Sequence, residues 1–518
     1  MQLAAARLVG SPWPLFVQDA YVPAPGAVFR PLGFVSFWLG TAVFGTNYAA
    51  HIIGDLTLHA GVALALFGVL RSVAIPRWLA ALCCLLFAVH PAVVGTALWW
   101  SARFDLLAAL FTLLSLRAAF AYREQGRTIA LAFALVCALA AMLCKEVGLA
   151  VLAPLSWLWG CWAWQAPALR ARALRAVVLV WLCAVVYFGW RWCALGTFSS
   201  DLTGSLPITH ALAKGLLDWV QQAPGYLSFG VQIGGLRGAV LLLAIVAILG
   251  VVKFSPASHS GVKPHARRLD LAVCGFCLVV VPALLQAPVA ALNAVPLRAD
   301  MSAVEAAMQS RLYYLSLAGT AALLAALLAQ CWQAAMSYWR VALVVPLAAA
   351  VIALGSVSHT DARAFARRSV QISGVARAAI EAVDRLDLPP SRCHVVFLGV
   401  EPAPEWSIFV SMDSVMKALS PDLARVAHCY FHTDYVTYFH LLAATRDAAD
   451  AAPWGPLHID GAVVPSRRIG DLAIDYLTPP APVDTREFAS MRFLRYRDGR
   501  FDEVSAQVLA GTLAVRLQ

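Results

Sequence analysis

Four short segments place charged and aromatic residues where apolar runs begin or end, and these are the places where the sequence can do chemistry. They span residues 17–32, 85–111, 142–155 and 309–328. A carboxylate within hydrogen-bond reach takes a proton from a hydroxyl as that hydroxyl attacks. An arginine binds phosphate bidentately, whereas a lysine acts as a point charge. The polar residues of these segments are Asp19, Arg30, His90, Arg103, Asp105, Lys145, Glu146, Arg311 and Tyr314.

Each of these residues also has a structural interpretation. Lys145 with Glu146, or Arg103 with Asp105, can form an ion pair that only holds helices together. His90, directly before Pro91, can cap a helix. Trp99 and Trp100 are typical of the aromatic belt at a membrane interface.

The composition indicates a polytopic membrane protein. Of 518 residues, 61% are hydrophobic and 13% are charged, against about 25% charged in soluble domains. A soluble chain of this length cannot hide that much apolar surface, and disorder requires the opposite composition. The 39 basic and 29 acidic residues give a net charge of +10, which favours membrane orientation and contact with anionic lipids over nucleic-acid binding.

Ten apolar runs are long enough to approach a bilayer span of about 20 residues. An eleventh run, 33–49, is interrupted by Gly33, Gly40 and Gly45 and predicts an interfacial or re-entrant helix, or an additional span. The ten runs lie at 51–70, 78–95, 104–121, 128–144, 147–164, 174–194, 236–252, 270–289, 312–331 and 340–357.

The distribution of lysine and arginine predicts the orientation. Short loops such as those holding Arg123 and Arg127, or Arg170 to Arg175, are the richer in basic residues and are therefore cytoplasmic. The N-terminus and everything after about residue 357 then face outward. Most acidic and special polar residues of the membrane half fall on that outer face, which favours a functional site there. They are Asp19, His90, Asp105, Glu146, Asp201, Asp218, Asp300 and Glu305.

The sequence divides into a transmembrane domain, residues 1–357, and an outer domain, residues 358–518, which has ordinary polarity and alternating helix and strand patterns. This alternation predicts a small α/β domain, with a turn at Asp498-Gly499 between two strands. Ten of the twelve cysteines lie in or beside apolar runs, whereas Cys393 and Cys429 can pair in an oxidising compartment. One group of polar side chains with irregular spacing is an alternative metal site: His428, His432, Asp434 and His440.

The ordered motifs over about residues 15–330 resemble the GT-C superfamily of polytopic glycosyltransferases. They are most similar to the bacterial relatives of the protein O-mannosyltransferases and to the transmembrane-and-TPR O-mannosyltransferases. The outer domain is not covered, and no TPR-like repeat occurs in it. The motifs, in order, are an acidic residue in the first outer loop, FRPL, LHA (58–60), FAVHP, W–R–D, CKE, RW–LG (191–196) and RLYYLS.

The resemblance implies an inverting transfer of a sugar from a polyprenyl-phosphate or polyprenyl-diphosphate carrier to a glycan, lipid or protein acceptor at the outer face of the bacterial cytoplasmic membrane. Asp19 matches the catalytic acidic residue of the family, and Arg103, Lys145 and Arg311 are the expected ligands of the donor phosphate. Further site candidates are Arg30, His90, Asp105, Glu146 and Tyr314. No metal ligand is assigned. The family often has two acidic residues where this chain has Asp19-Ala20, which leaves dependence on a divalent metal open.

Two other functions compete with this one. A transporter or flippase of lipid-linked sugar would favour internal repeats and charges near the bilayer midplane. A non-catalytic assembly protein would keep the fold and bind a partner through its outer domain. The family has a full span before the catalytic loop, and the 16 residues MQLAAARLVGSPWPLF are too short to cross, so an upstream start of translation is expected.

Overall fold

The computed structural model describes most of the chain in two compact units, which are taken separately below. One, the bundle unit, comprises the described residues within 29–33 and 47–365; the other, the terminal unit, comprises those within 1–28, 34–46 and 366–518. The described ranges are 11–17, 29–45, 47–99, 102–196, 262–293, 310–334, 337–389, 393–398, 416, 420–426, 428–433, 457–459, 491–509 and 515–517.

The described chain from residue 31 to 385 is helical, and its helices are numbered here in chain order. They are α1 Pro31–Phe44, α2 Tyr48–Ser72, α3 Arg77–Ala88, α4 Val94–Leu98, α5 Arg103–Gln125, α6 Thr128–Cys144, α7 Leu152–Gln165, α8 Arg170–Leu195, α9 Val262–Asn293, α10 Tyr314–Ala334 and α11 Ser337–Arg385. Short 3-10 segments at Pro91–Val93, Glu146–Val151, Pro167–Leu169 and Arg311–Tyr313 precede α4, α7, α8 and α10.

Several of these helices are long and apolar enough to cross a membrane. Among the described residues there are six, or seven if the bent pair Arg77–Ala88 and Pro91–Leu98 is one span. The six are Tyr48–Ser72, Arg103–Gln125, Glu146–Trp164, Pro167–Leu195, Arg311–Trp332 and Val344–Arg385.

These helices fall on seven of the ten predicted runs. The run at 128–144 forms the 17-residue helix α6, which is shorter than a typical span. The run at 270–289 lies within α9, and the run at 236–252 lies outside the described residues. The run at 33–49 is divided between two helices. Most of it lies in the 14-residue helix α1, and its last residues belong to α2, which starts at Tyr48.

The chain bends by 58° between α3 and the Pro91–Leu98 segment. Pro91 lacks the backbone N–H that would continue the helix, so carbonyl groups at the bend need other donors. His59 bonds the Ala88 carbonyl at 3.1 Å, Ser358 the Val89 carbonyl at 2.6 Å, and Ser310 the Ala92 carbonyl at 2.7 Å. Side chains from three other segments of the bundle unit therefore form hydrogen bonds at this bend.

Close backbone approaches fix where the segment Glu146–Val151 leaves the end of α6. A Cβ atom on Gly148 would overlap the backbone of Ala141 and Met142 in the last turn of α6. Glycine is the residue that permits such an approach. Gly275 of α9 and Gly319 of α10 approach each other in the same way.

The terminal unit contains a four-stranded sheet of order β2-β1-β4-β5. Its strands are β1 Cys393–Leu398, β2 Cys429–Thr433, β4 Arg492–Arg497 and β5 Arg500–Glu503; β3 Leu457–Ile459 and β6 Val515–Leu517 form an antiparallel pair. β1 is parallel to both β2 and β4. Val395 and Phe397 of β1 are buried with Ala379 and Val383 of α11 and with Phe501.

Several predictions for this unit are confirmed. β4 and β5 form a hairpin whose turn residues Asp498 and Gly499 both have positive φ, as a type I′ turn requires. Cys393 and Cys429 face each other across β1 and β2 and form a disulfide. The segments 405–419 and 471–477, predicted as a helix and a strand, lie outside the described residues, apart from Met416.

The predicted domain boundary at residue 358 lies inside α11, since that helix runs from Ser337 to Arg385. The first helical pattern of the predicted outer domain and the last apolar run, 340–357, are thus one element. Nothing in the residues around 358 breaks a helix, because neither glycine nor proline occurs between Gly355 and Gly374.

We expect Gly148→Ala to destabilise the bundle by about 1–3 kcal/mol, because the added methyl group must displace the last turn of α6. Gly160→Ala is the matched control, since a Cβ at Gly160 meets no atom within 4 Å and alanine is the better helix former. Thermal unfolding in detergent measures both. Equal melting temperatures for the two variants would show that the close approach at Gly148 is not needed.

Candidate active site

Charged side chains from six segments of the bundle unit gather where α5 begins and α6 ends. This group, called the charge cluster below, contains five cations and three carboxylates. Its members are Arg30, Asp55, Arg103, Asp105, Lys145, Glu146, Arg191 and Arg311. Among the described residues the cations of the cluster outnumber its carboxylates by two, a balance that favours an anionic ligand.

Lys145 lies at the centre of the cluster. It follows the last residue of α6, and its extended backbone redirects the chain into the segment Glu146–Val151. Its Nζ bonds both carboxylate oxygens of Asp105, at 2.6 and 2.8 Å. Asp105 is held in the first turn of α5, where a carboxylate also interacts favourably with the helix dipole.

The charges of Arg30 and Arg311 also act on Lys145. Burial lowers the pKa of Lys145 below its usual value, the Asp105 carboxylate opposes this, and the two arginines add to the lowering. Lys145 is thus paired with one carboxylate and repelled by two neighbouring cations. An anion bound beside Lys145 would relieve this repulsion.

Glu146 holds two arginines from distant parts of the chain. The Nη2 and Nε atoms of Arg30 lie 2.7 and 2.9 Å from Oε2 of Glu146, and Nη1 of Arg191 lies 3.6 Å from Oε1. The Arg30 guanidinium also lies over the Phe104 ring, 5.4 Å from its centroid. The Glu146 side chain is 31% exposed, so this part of the cluster reaches the surface of the unit.

Arg103 occupies the buried side of the cluster. Its Nε donates to Oδ1 of Asp55 at 2.5 Å, and its Nη2 donates to the His51 carbonyl at 3.2 Å. The Arg103 and Asp55 side chains are 6% and 0% exposed. This pair joins α5 to α2, and the geometry is that of an internal brace.

Arg311 and Tyr314 lie at the start of α10. The Arg311 guanidinium stacks over the Trp99 ring, 4.1 Å from its centroid. The Tyr314 hydroxyl lies 2.7 Å from Nδ1 of His59. Since Nε2 of His59 faces the Ala88 carbonyl, which only accepts, Nδ1 accepts the Tyr314 proton.

The structure therefore brings most of the predicted site residues together, although their ion pairs differ from those the sequence suggested. Lys145 pairs with Asp105 rather than with Glu146, and Arg103 pairs with Asp55 rather than with Asp105. His90 caps the segment Pro91–Val93 by accepting from the Ala92 amide at 3.1 Å. Asp19 and Trp100 lie outside the described residues, as do Asp201, Asp218, Asp300 and Glu305.

Sequence reasoning missed Asp55, His51 and, as a charged group of the site, Arg191. A usable signal existed for Asp55, because an acidic residue inside an apolar run is costly and points to a buried partner. Its partner lies 48 residues away, and no local pattern identifies a partner at that distance.

A second group of metal-ligating side chains occurs in the terminal unit. Ligand atoms of Cys393, His428 and Cys429 lie within 4.8 Å of one another. Both sulfur atoms are joined in the disulfide, and a disulfide sulfur does not supply the thiolate that a metal requires. His432 lies in β2, whereas Asp434 and His440 lie outside the described residues, so the predicted His/Asp group is not tested.

We expect Asp55→Asn to destabilise the bundle by about 3 kcal/mol, because Arg103 would keep its charge in a buried position without a carboxylate. The double variant Asp55→Asn/Arg103→Gln should be less destabilised than the sum of the single variants. Thermal unfolding in detergent, with the four proteins compared as a cycle, measures this. If the destabilisation of the double variant equalled the sum for the two single variants, the Arg103–Asp55 pair would not stabilise the bundle.

Comparisons with family models, curated proteins and solved structures find no match to the chain. The charge cluster and the apolar helices around it are therefore the basis for the function considered next.

Proposed function

We propose that the chain is a membrane glycosyltransferase that takes a sugar from a polyprenyl-phosphate donor and transfers it, with inversion, to a hydroxyl acceptor. The observation that carries the proposal is that Lys145, which pairs with Asp105, also feels the charges of Arg30 and Arg311 at one end of an apolar helical bundle. A polyprenyl-phosphate donor has the matching chemistry, since its phosphate is anionic and its chain is apolar.

The leaving group explains why several cations are needed. As the bond between the anomeric carbon and the phosphate oxygen breaks, negative charge develops on the phosphate. Preorganised cations in a site of low dielectric stabilise such charge most effectively. Lys145 contributes a point charge, while Arg30 and Arg311 contribute planar forks whose orientation is fixed by Phe104 and Trp99 respectively.

The remaining steps need a base and an acceptor. We assign the base to Asp19, whose carboxylate takes the proton of the acceptor hydroxyl as its oxygen attacks the anomeric carbon. The C–O bond to the carrier breaks on the opposite side, and polyprenyl phosphate leaves with the bonding electron pair. No residue of the chain is assigned as a metal ligand, and none of these steps uses a metal.

The candidate phosphate ligands differ in burial, which separates their roles. Lys145 and Arg30 have 13% and 16% of their side chains exposed and adjoin the partly exposed Glu146, so a ligand can reach them. Arg103 is bonded to Asp55 and to the His51 carbonyl. We therefore assign Arg103 a positioning role on α5 and transfer its predicted phosphate contact to Arg30.

The disulfide supports the orientation in this proposal. Disulfides persist in oxidising compartments and are rare in the cytosol. Cys393–Cys429 joins β1 to β2 in the terminal unit. We therefore assign this part of the chain to the outer side of a bacterial cytoplasmic membrane, and the charge cluster to the outer ends of the helices.

We expect Lys145→Gln and Arg311→Gln each to reduce sugar transfer about a hundredfold, as removal of one preorganised donor typically does. Asp19→Asn should abolish transfer. Arg77→Gln, at the start of α3, is the control and should retain activity. The assay uses the purified chain in liposomes, with radiolabelled polyprenyl-phosphate hexoses and membrane-derived acceptors, and melting temperatures verify folding.

Other outcomes would favour the competing functions. Full activity of Asp19→Asn would overturn the catalytic assignment. Movement of a lipid-linked sugar across proteoliposomes that lack any acceptor would favour a transporter. Capture of a stable protein partner, together with the absence of any effect of Asp19→Asn on cells, would favour an assembly protein.

We expect Cys393 and Cys429 to resist a maleimide-polyethylene glycol reagent in denatured whole-cell samples until a reductant is added. Reduction should then raise the number of reagent molecules bound per chain by two, relative to the unreduced sample. Cys393→Ser is the control: it frees Cys429, which should react without reductant. Full reactivity of both thiols in unreduced wild-type samples would place this unit in a reducing compartment.

A further inference from the structure

The opposite end of α5 carries a second concentration of charge, which the proposed function does not use. There α5 ends, α6 and α8 begin, and the early turns of α9 lie alongside. This basic end, as we call it, holds seven arginines and two carboxylates: Arg123, Arg127, Arg170, Arg172, Arg175, Arg267 and Arg268, with Glu124 and Asp270.

Both carboxylates of the basic end already have arginine partners. Arg123 is bonded to Asp270, and Nη1 of Arg267 lies 2.8 Å from Oε1 of Glu124. These ion pairs join α5 to α9. They leave no carboxylate of the basic end to compensate the arginines of α8 and of the turn between α5 and α6.

Arg172 has a different anchor. Its guanidinium lies over the rings of Tyr122 and Trp162, 4.9 and 5.8 Å from their centroids, and its Nε donates to the Tyr122 hydroxyl at 3.2 Å. It also lies so close to Gly126 that a Cβ there would overlap it. Arg172 thus fixes the start of α8 against the end of α5.

Three arginines around this anchor are exposed and uncompensated. Arg127 follows Gly126 in the turn, while Arg170 and Arg175 lie two residues before and three residues after Arg172 on α8. Within the described parts of the chain, their side chains form no ion pair and no hydrogen bond. No acidic residue occurs in the first turn of α6 or α8, so the helix dipoles add to the positive potential here.

The surface beside these arginines is apolar. Trp164 is 83% exposed, Ile129 is 72% exposed and Leu174 is 47% exposed. Exposed tryptophan and aliphatic side chains next to arginines are characteristic of the boundary between lipid chains and headgroups. An acidic soluble partner would match the charges, but it would leave this apolar belt without a matching environment.

We propose that Arg127, Arg170 and Arg175 bind the phosphate headgroup of an anionic phospholipid, with Trp164, Ile129 and Leu174 against its acyl chains. The proposal is independent of the proposed function, since it involves no residue of the charge cluster. It makes this end of the bundle a lipid-binding site rather than only a determinant of orientation.

The test measures binding of a fluorescent short-chain phosphatidylglycerol to the full-length chain in neutral detergent. Since each cation near an anionic lipid surface contributes roughly 1 kcal/mol, the triple variant Arg127→Gln/Arg170→Gln/Arg175→Gln should bind on the order of a hundredfold more weakly. The triple lysine variant should recover most of the affinity. Arg77→Gln, which removes an exposed arginine from the start of α3, should bind as the wild type does.

Three results would overturn the proposal. The first is equal affinity of the wild type and the triple glutamine variant for phosphatidylglycerol. The second is equal affinity of the wild type for phosphatidylcholine. The third is displacement of the lipid by inorganic phosphate at comparable concentration, which would make the site one for free anions. Unchanged melting temperatures of the variants would show that any loss of binding is not due to unfolding.

Discussion

The pairing of Lys145 with Asp105 is the interaction on which the arrangement of the bundle unit depends. It joins the end of α6 to the start of α5 within a largely apolar protein, where an isolated charge would be expensive to bury. Each further charge in the cluster follows from this constraint: Glu146, the next residue, holds Arg30 and Arg191, and Arg103, two residues before Asp105, requires Asp55. Removing any carboxylate leaves a buried cation.

The charge balance of the cluster bears on the ligand that it can bind. Among the described members of the cluster there are two more cations than carboxylates, and the charges of Arg30 and Arg311 both act on Lys145. The Arg30 guanidinium, which also pairs with Glu146, lies over the Phe104 ring, and the Arg311 guanidinium lies over the Trp99 ring. In the proposed function, these cations would stabilise the charge that develops on the donor phosphate.

Features governed by local physics could be predicted from the sequence. Apolar runs of span length predicted helices, and Asp498-Gly499 predicted a hairpin turn, because each depends on residues that are neighbours in the chain. Those predicted site residues that the structure describes in the charge cluster converge for a related reason, since polar groups at the ends of adjacent helices share one end of the bundle. Their partners could not be predicted, because the choice between Asp55 and Asp105 for Arg103 depends on how α2 packs against α5. The continuity of α11 through residue 358 was missed because a change in composition does not by itself end a helix.

The two ends of α5 show how one helix can serve two electrostatic roles. At its start, charges are buried and fixed by ion pairs, so a ligand meets preorganised groups. At its end, Arg123 and Arg267 neutralise the available carboxylates, while Arg127, Arg170 and Arg175 remain exposed beside apolar side chains. Exposed cations of this kind are screened by salt in water but interact strongly with an anionic lipid surface. Under the two proposals, the basic end would fix the depth and orientation of the bundle, and this would set the level at which the charge cluster meets a lipid-linked donor.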